Sequence, residues 1–128
     1  MNRSPSTHLR PATVCLVEDH PELRRHLEEF LHAAGHLVLD AVGTFSEGRT
    51  VIIDRHPDVA IIDNQLPDGR GVDLCRELCV AVPAVVLLLH TAIVSADLSA
   101  EAKHAGAAAV VAKSVRGTEL LDAIRMRP

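Results

Sequence analysis

The sequence predicts an α/β protein in which five strand–helix units form one parallel sheet with helices on both faces. Short apolar segments rich in Val, Ile and Leu alternate along the chain with longer segments whose apolar residues recur at helical spacing. Strands that are separated by helices run parallel and are joined by right-handed crossovers, which places the helices on both sides of the sheet. The length of 128 residues suits one such domain.

The composition excludes several classes of protein. Apolar residues make up 48% of the chain and aromatic residues only 2%, so the core must consist of Val, Leu, Ile and Ala. The net charge of -4 argues against a general nucleic-acid binder, which carries a basic face. No apolar run reaches the roughly 18 residues of a membrane helix, and the polar start lacks a signal peptide. We therefore expect a cytoplasmic protein with no membrane partner, a disordered lead-in over residues 1–12 and one domain over residues 13–128.

The first two units are delimited by capping residues. Thr13–Val17 is short, apolar and rich in β-branched residues, which predicts a strand. Apolar residues at helical spacing predict a helix over residues 21–34, with a proline in its first turn and a glycine after its end. The second strand is predicted over residues 37–42. Thr44, with a glutamate three residues later, forms a capping box that starts the second helix, and a His-Pro pair ends it at residue 56.

The remaining units follow the same pattern. The third strand is predicted over residues 59–62, and a turn separates it from a helix over residues 71–82 that a proline closes. Residues 84–89 form the most continuous apolar run, and a strand without polar alternation is covered on both faces. The last elements are predicted as a helix over residues 95–105, a strand over 108–112 and a helix over 118–127.

Polar side chains collect at the carboxyl ends of the predicted strands. The first strand is followed by Glu18 and Asp19, the third by Asp63, the fourth by Thr91 and the fifth by Lys113. These ends lie at one edge of a parallel sheet, where ligands bind at the point at which the strand order reverses. We therefore expect three carboxylates, one hydroxyl and one ammonium to lie close together.

This donor set predicts a magnesium site. Neighbouring carboxylates repel one another and raise each other's pKa, and a hard divalent cation relieves that conflict. Mg²⁺ prefers oxygen ligands, keeps several waters and is often shared with a phosphate. We expect Asp19 and Asp63 to bind Mg²⁺ directly, Glu18 to hold a metal-bound water, and the backbone carbonyl of Gln65 to add a ligand.

A phosphoryl group is the expected substrate. Lys113 supplies a compact, movable positive charge, and Thr91 supplies a neutral donor for one phosphoryl oxygen. A carboxylate can accept a phosphoryl group, and Asp63 is the central one, so it is the candidate nucleophile. The turn that follows Asp63 bends the chain away and exposes the carboxylate.

In this order, the motifs resemble the receiver domain of two-component response regulators. They are LVEDHP with Glu18 and Asp19, IIDNQLPDGRG with Asp63, LLLHTA with Thr91 and VVAK with Lys113. The resemblance covers nearly the whole chain after residue 12 at the family's spacings, and EDHP and LPDGRGVDLCREL are most similar to receivers of the NarL type. It implies a flavodoxin-like fold with the strand order 2-1-3-4-5.

The resemblance also implies a function. A histidine kinase or phosphotransfer protein would pass a phosphoryl group to Asp63 with Mg²⁺, and the domain would dephosphorylate itself slowly without acting as an enzyme on other substrates. The change would reach the face formed by the fourth helix, the fifth strand and the last helix. Because Val110 replaces the usual aromatic residue of the fifth strand, we expect any partner surface on the fourth helix, around Asp97, Glu101 and His104. A homodimer is left open, and DNA binding is expected only through an output domain absent from these 128 residues.

The chain departs from the family at three positions. Val110 stands where the fifth strand usually carries an aromatic residue, so the usual ring that follows the threonine is missing. Lys113 is followed by Ser114 and not by proline, which predicts a trans bond because a cis bond there costs about 3–4 kcal/mol. His90, next to Thr91, is unusual in the family.

Alternative functions fit less well. A Mg²⁺-dependent phosphohydrolase of the haloacid dehalogenase class needs an aspartate where Gln65 stands, and a flavodoxin-like cofactor binder needs a phosphate loop where the acidic pair stands. A receiver that acts as a phosphorylation-independent interaction module remains the alternative. We interpret Cys75 and Cys79 as core residues, Asp68 as a plain turn residue and His20 as a solvated loop residue.

Overall fold

The computed structural model describes residues 10–127, and within them a five-stranded parallel sheet is flanked by five helices, which confirms the predicted fold class. The sheet has the order β2-β1-β3-β6-β7, which is 2-1-3-4-5 when its strands alone are counted. Strands β4 and β5 form a separate antiparallel hairpin. The strands are β1 Thr13–Val17, β2 Leu37–Val42, β3 Val59–Asp63, β4 Gln65–Leu66, β5 Gly69–Arg70, β6 Val86–Thr91 and β7 Ala109–Ala112. The helices are α1 Pro21–Ala33, α2 Phe45–Arg55, α3 Gly71–Ala81, α4 Ala96–His104 and α5 Thr118–Arg125.

The predicted boundaries differ most at β6. The strand begins two residues later than predicted, because residues 82–85 form a turn in which Val85 N–H donates to the Val82 carbonyl at 3.0 Å. At its other end the strand continues through His90 and Thr91. An apolar run does not distinguish a tight turn from a strand, whereas pairing with β3 and β7 does.

Most of the predicted lead-in lies outside the described residues, which begin at Arg10. Ala12 is buried, its N–H donates to His36 Nδ1 at 3.0 Å, and its carbonyl accepts from Leu37 N–H at 2.9 Å. The chain is therefore already held against β2 just before Thr13. The extent of disorder over residues 1–12 stays a prediction.

The sheet's side chains divide between two apolar layers. Residues of one parity, such as Val17, Ile62 and Leu89, pack with α2, α3 and α4. Residues of the other parity, such as Leu16 and Ile61, pack with α1 and α5. Because side chains alternate along a strand, Glu18, Asp63, His90 and Lys113 belong to the α1/α5 face, whereas Thr91 and Val110 belong to the opposite face.

Two further expectations are met, on the cysteines and on the peptide bond after Lys113. Cys75 is fully buried in the core, and Cys79 packs against the same layer while partly exposed. No cis peptide bond occurs in the described residues, so the bond after Lys113 is trans. Across the described range 10–127, none of the helices combines the length and apolar character needed to cross a bilayer.

Candidate functional site

The site lies at the carboxyl edge of the sheet, where the strand order reverses between β1 and β3. The parallel strands deliver their last residues to this edge, so all five predicted side chains line one cleft of about 600 Å³. The lining comprises Glu18, Asp19, Asp63, Thr91 and Lys113, together with His20, Leu23, Asn64, Gln65, Ala92, Ile93 and Leu98. The structure therefore brings together the residues that the sequence predicted for the magnesium and phosphoryl site.

Three carboxylates form the acidic part of the cleft. Glu18, Asp19 and Asp63 each offer an oxygen, and these atoms lie within 4.8 Å of one another. Glu18 and Asp63 are buried, with exposed fractions of 1% and 5%, while Asp19 is exposed. Burial raises the pKa of Glu18, and the charge of Asp63 adds to the increase, although the Lys113 ammonium and the His20 N–H oppose it. The folded protein therefore holds a carboxylate that is costly to ionise.

Lys113 lies between two of the carboxylates. Its Nζ is 3.0 Å from Glu18 Oε1 and 3.1 Å from Asp63 Oδ2. Burial acts to lower the pKa of Lys113, but the two carboxylates outweigh it and raise the pKa. Within residues 10–127, Glu18 Oε1 is buried, and the Lys113 ammonium is the charge that compensates it.

His90 is a residue whose place the sequence did not reveal. It stands opposite Asp63 in the β3–β6 pairing and is 5% exposed. Lys113 follows β7, so its side chain crosses β6, on the His90 face, to reach Asp63. Burial lowers the pKa of His90 to about 4, and the Lys113 charge adds to this while Asp63 opposes it. The imidazole is therefore neutral at neutral pH.

Thr91 lies on the other side of the cleft. Its Oγ1 donates to the Ile93 carbonyl at 3.4 Å, which is a long hydrogen bond within its own loop. The hydroxyl is therefore free to turn toward a ligand at small cost. Val110 is partly buried on the same face of the sheet, and its short aliphatic side chain packs in that layer.

The chain after Asp63 folds back onto it. Gly71 N–H donates to the Asn64 carbonyl at 2.8 Å, and Gln65 N–H donates to Asp63 Oδ1 at 3.1 Å. A Cβ at position 71 would lie 2.1 Å from the Asp63 carbonyl oxygen, so only glycine permits this approach. The predicted exposure of the carboxylate is wrong, because Asp63 is buried, and the turn instead packs a closed loop against the backbone of Asp63.

Asp68 is more than the plain turn residue that we expected. Its Oδ1 accepts from Phe45 N–H at 2.7 Å and its Oδ2 from Ser46 N–H at 3.1 Å, so it caps the start of α2. Desolvation acts to raise the pKa of Asp68, but the backbone hydrogen bonds outweigh it and lower the pKa. The cap joins residues more than 20 positions apart, so no local pattern could reveal it.

Arg70 makes a second long-range contact that the sequence did not indicate. Its Nη1 and Nη2 donate to Glu101 Oε2 and Oε1, both at 2.8 Å. Glu101 lies on α4, in the surface that we predicted for partners, so one of that surface's three named residues already has an intramolecular partner. Asp97 and His104 are exposed.

His20 is exposed, as expected for a solvated residue, but it also has two structural contacts. Its Nδ1 accepts from Leu23 N–H at 3.3 Å and so caps α1. Its own backbone N–H donates to Glu18 Oε2 at 3.1 Å. The start of α1 is therefore fixed to the acidic cluster.

Residues 14–125 match the protein family described as response regulator receiver domain. The chain therefore belongs to that family, and it is a receiver domain of the kind found in two-component response regulators.

Individual relatives agree with this assignment. The chain is 37% identical over 113 residues to the DNA-binding transcriptional activator DevR/DosR of Mycobacterium tuberculosis, covering 88% of this chain and 52% of that protein. The chain thus spans about half the length of this curated relative and less of others, such as 34% of the phosphate regulon regulator PhoB of Pseudomonas aeruginosa.

Solved structures show the same fold. A LuxR-family two-component response regulator from Aurantimonas superposes with a TM-score of 0.84 at 27% identity, over 89% of this chain and 82% of that one. The receiver domain of the response regulator NarL from Mycobacterium tuberculosis superposes with a TM-score of 0.83 over 91% of this chain and 98% of that one. Its identity of 24% supports the fold alone.

Proposed function

We propose that this receiver domain accepts a phosphoryl group on Asp63 from the phosphohistidine of a histidine kinase or phosphotransfer protein. An Asp63 carboxylate oxygen attacks the phosphorus, the P–O bond forms as the P–N bond breaks, and the donor histidine leaves with the electron pair. The observation that carries the proposal is the carboxylate of Asp63 within 4.8 Å of oxygens from Glu18 and Asp19 and 3.1 Å from Lys113 Nζ.

Mg²⁺ is the proposed cofactor, and the donor set fits it. Hard oxygen ligands cluster in the cleft, and Glu18 Oε1 is buried without a hydrogen bond within the described residues. Asp19, Asp63 and the Gln65 carbonyl are the proposed direct ligands, with Glu18 acting through a water. When bound, Mg²⁺ would neutralise the acidic cluster and attract an incoming phosphoryl oxygen.

Two side chains act on the phosphoryl group in this proposal. Lys113, whose Nζ lies 3.1 Å from Asp63 Oδ2, moves its ammonium from this carboxylate to a phosphoryl oxygen. Thr91 exchanges its long bond to the Ile93 carbonyl for another phosphoryl oxygen. Both movements exchange an existing contact of the donor for a phosphoryl oxygen.

We further propose that the domain is of the NarL type and works in the cytoplasm. The names of its relatives support the first part of this proposal, since DevR/DosR is a DNA-binding transcriptional activator and the Aurantimonas protein is of the LuxR family. DNA binding would belong to a separate output domain and not to this domain, whose net charge is -4. Self-association as a homodimer is a further proposal, and no action as an enzyme on other substrates is expected.

The test is phosphorylation by a small donor. The protein is incubated with Mg²⁺ and acetyl phosphate and its intact mass is measured, alone and as Asp63→Asn. We expect a single phosphate adduct on the wild type and none on the variant, while Asp97→Asn, an exposed carboxylate on α4, is the matched control and keeps the adduct. An adduct formed by Asp63→Asn at the wild-type rate would refute the assignment. A wild type that binds Mg²⁺ but never forms an adduct would favour the phosphorylation-independent interaction module.

A further inference from the structure

The loop after Asp63 is a closed unit, which we call the Asp63 hairpin and define as residues 64–71. The Gly71 N–H and the Asn64 carbonyl close its base. Its tip is fixed to α2, because Asp68 caps that helix and Gly69 lies so close to the Phe45 ring that a Cβ would be 2.8 Å from it. The hairpin therefore has little freedom to move independently of the helices that hold it.

Arg70 carries the third attachment of the hairpin. It pairs with Gln65 across the two-residue ladder of β4 and β5, so its backbone is directly opposite the residue whose carbonyl is the proposed Mg²⁺ ligand. Its Nη1 and Nη2 each donate to one carboxylate oxygen of Glu101 on α4, both at 2.8 Å. A planar guanidinium and a planar carboxylate matched in this way restrict both distance and angle, which a single-point contact does not.

The Arg70–Glu101 contact is distinctive for α4. Over residues 10–127 it is the only ion pair that connects α4 to another element. The helix is otherwise held by its apolar side, where Ala102 and Ala105 are buried, and by its own cap at Ser95. The pair is therefore the ionic contact that joins the hairpin to the exposed side of α4.

We propose that the Arg70–Glu101 pair is a positioning device that couples the Asp63 site to α4. A cation bound at the Gln65 carbonyl shifts the hairpin, Arg70 moves with it, and Glu101 draws α4 along. The route matters in this chain because Val110 offers no aromatic ring that could couple the site to the surface through β7. The inference rests on the proposed function only in taking Mg²⁺ and a phosphoryl group as the ligands of the site.

Coupling is reciprocal, so the pair must also affect the site. If Mg²⁺ binding favours formation of the Arg70–Glu101 pair by some factor, then breaking the pair must lower the affinity for Mg²⁺ by that factor. Both side chains are partly exposed, at 50% for Arg70 and 36% for Glu101, and exposed pairs are weak. The expected loss of affinity is therefore roughly twofold to fivefold.

The experiment is a double-mutant cycle on the full 128-residue chain. Backbone amide shifts are followed by NMR during titration with MgCl₂ alone, and then with MgCl₂ and beryllofluoride as a phosphoryl mimic. The variants are Arg70→Ala, Glu101→Ala, the double variant, and the exchanged pair Arg70→Glu with Glu101→Arg. Arg49→Ala is the matched control, because Arg49 forms a pair with Glu77 at 3.1 Å and similar exposure but joins α2 to α3.

We expect ligand-dependent shifts at Gln65 in every variant, whereas those across Ala96–His104 shrink in either single variant and no further in the double variant. The exchanged pair should restore part of the α4 response, and Arg49→Ala should keep all of it. High salt should weaken the α4 response of the wild type but not of Arg70→Ala, since salt screens exposed charges.

An α4 response in Arg70→Ala equal to that of the wild type would overturn the inference, and so would an equal loss in Arg49→Ala. Phosphorylation is measured separately by intact mass. If the wild type forms its adduct and Arg70→Ala keeps the full ligand-dependent response of α4, the coupling is wrong and the proposed function stands. If the wild type forms no adduct but MgCl₂ still shifts α4 in an Arg70-dependent way, the coupling stands and the phosphoacceptor role is wrong.

Discussion

Replacing Gly71 by alanine tests the packing of the Asp63 hairpin most directly. The added Cβ would lie 2.1 Å from the Asp63 carbonyl oxygen, 2.8 Å from its carbonyl carbon and 2.9 Å from Asn64 Cα. All three are backbone atoms, so no side chain can rotate away and the chain itself must move. To restore an ordinary contact of 3.4 Å from 2.1 Å, the backbone would have to shift by about 1.3 Å, which is the kind of overpacking that costs about 1–3 kcal/mol.

A helix-propensity term partly offsets this cost. Gly71 is the first residue of α3, and alanine is favoured over glycine in a helix by at most about 1 kcal/mol. Because the clash involves backbone at the centre of the structure, we take the upper part of the overpacking range and expect a net loss of about 2 kcal/mol. For a domain of this size that corresponds to a melting temperature lower by roughly 6–10 °C.

Urea and thermal unfolding measure this loss, and Gly43→Ala is the control. A Cβ at Gly43 also makes a close contact, at 2.8 Å, but with Nη1 at the end of the Arg24 side chain, which can move away at the expense of its hydrogen bond to the Glu18 carbonyl, so the cost should stay within about 1 kcal/mol. The shifted backbone in Gly71→Ala should also weaken Mg²⁺ binding, because it displaces Asp63. A Gly71→Ala protein as stable as Gly43→Ala would show that the hairpin does not pack on Asp63 as described.

Three further outcomes are expected. Asp19→Ala should weaken Mg²⁺ binding more than Glu18→Ala in an NMR titration, and equal losses would contradict their division into a direct and a water-mediated ligand. A phosphate mimic should change the backbone of residues 92–96 and the start of α4 while Val110 keeps one rotamer. A change of the Val110 rotamer in methyl NMR, with an unchanged loop over residues 92–96, would contradict this. The pKa of His90 is lowered from 6.5 to about 4 in the folded state, so the unfolded chain binds the proton first and stability falls as the pH drops between these values. The fall amounts to up to about 3 kcal/mol and should be absent in His90→Leu, and identical pH profiles for the two proteins would refute it.

The sequence alone determined the architecture, because the signals that specify it are local. Period-two and helical patterns alternate along the chain, and glycine, proline and capping residues mark where elements stop. Parallel strands then carry whatever follows them to one edge, so Glu18, Asp63, Thr91 and Lys113 could be placed together without coordinates. The boundary of β6 was misplaced by two residues because an apolar run has no signal that separates a turn from a strand.

Only the tertiary structure decided how the site is supported. Asp68 is of a residue type common in turns, yet it caps a helix that starts more than 20 residues earlier. Arg70 and Glu101 form a pair although they are 31 positions apart in the sequence. Such partners are unrelated to local spacing, and they meet because the packing of α2 and α4 on one face of the sheet brings them within hydrogen-bond distance. The neutral state of the buried His90 also depends on tertiary packing, since its pKa is set by burial and by the charges of two residues at the ends of neighbouring strands. Sequence patterns therefore specify which groups reach the edge of the sheet, and three-dimensional packing sets their charges and links them to the helices.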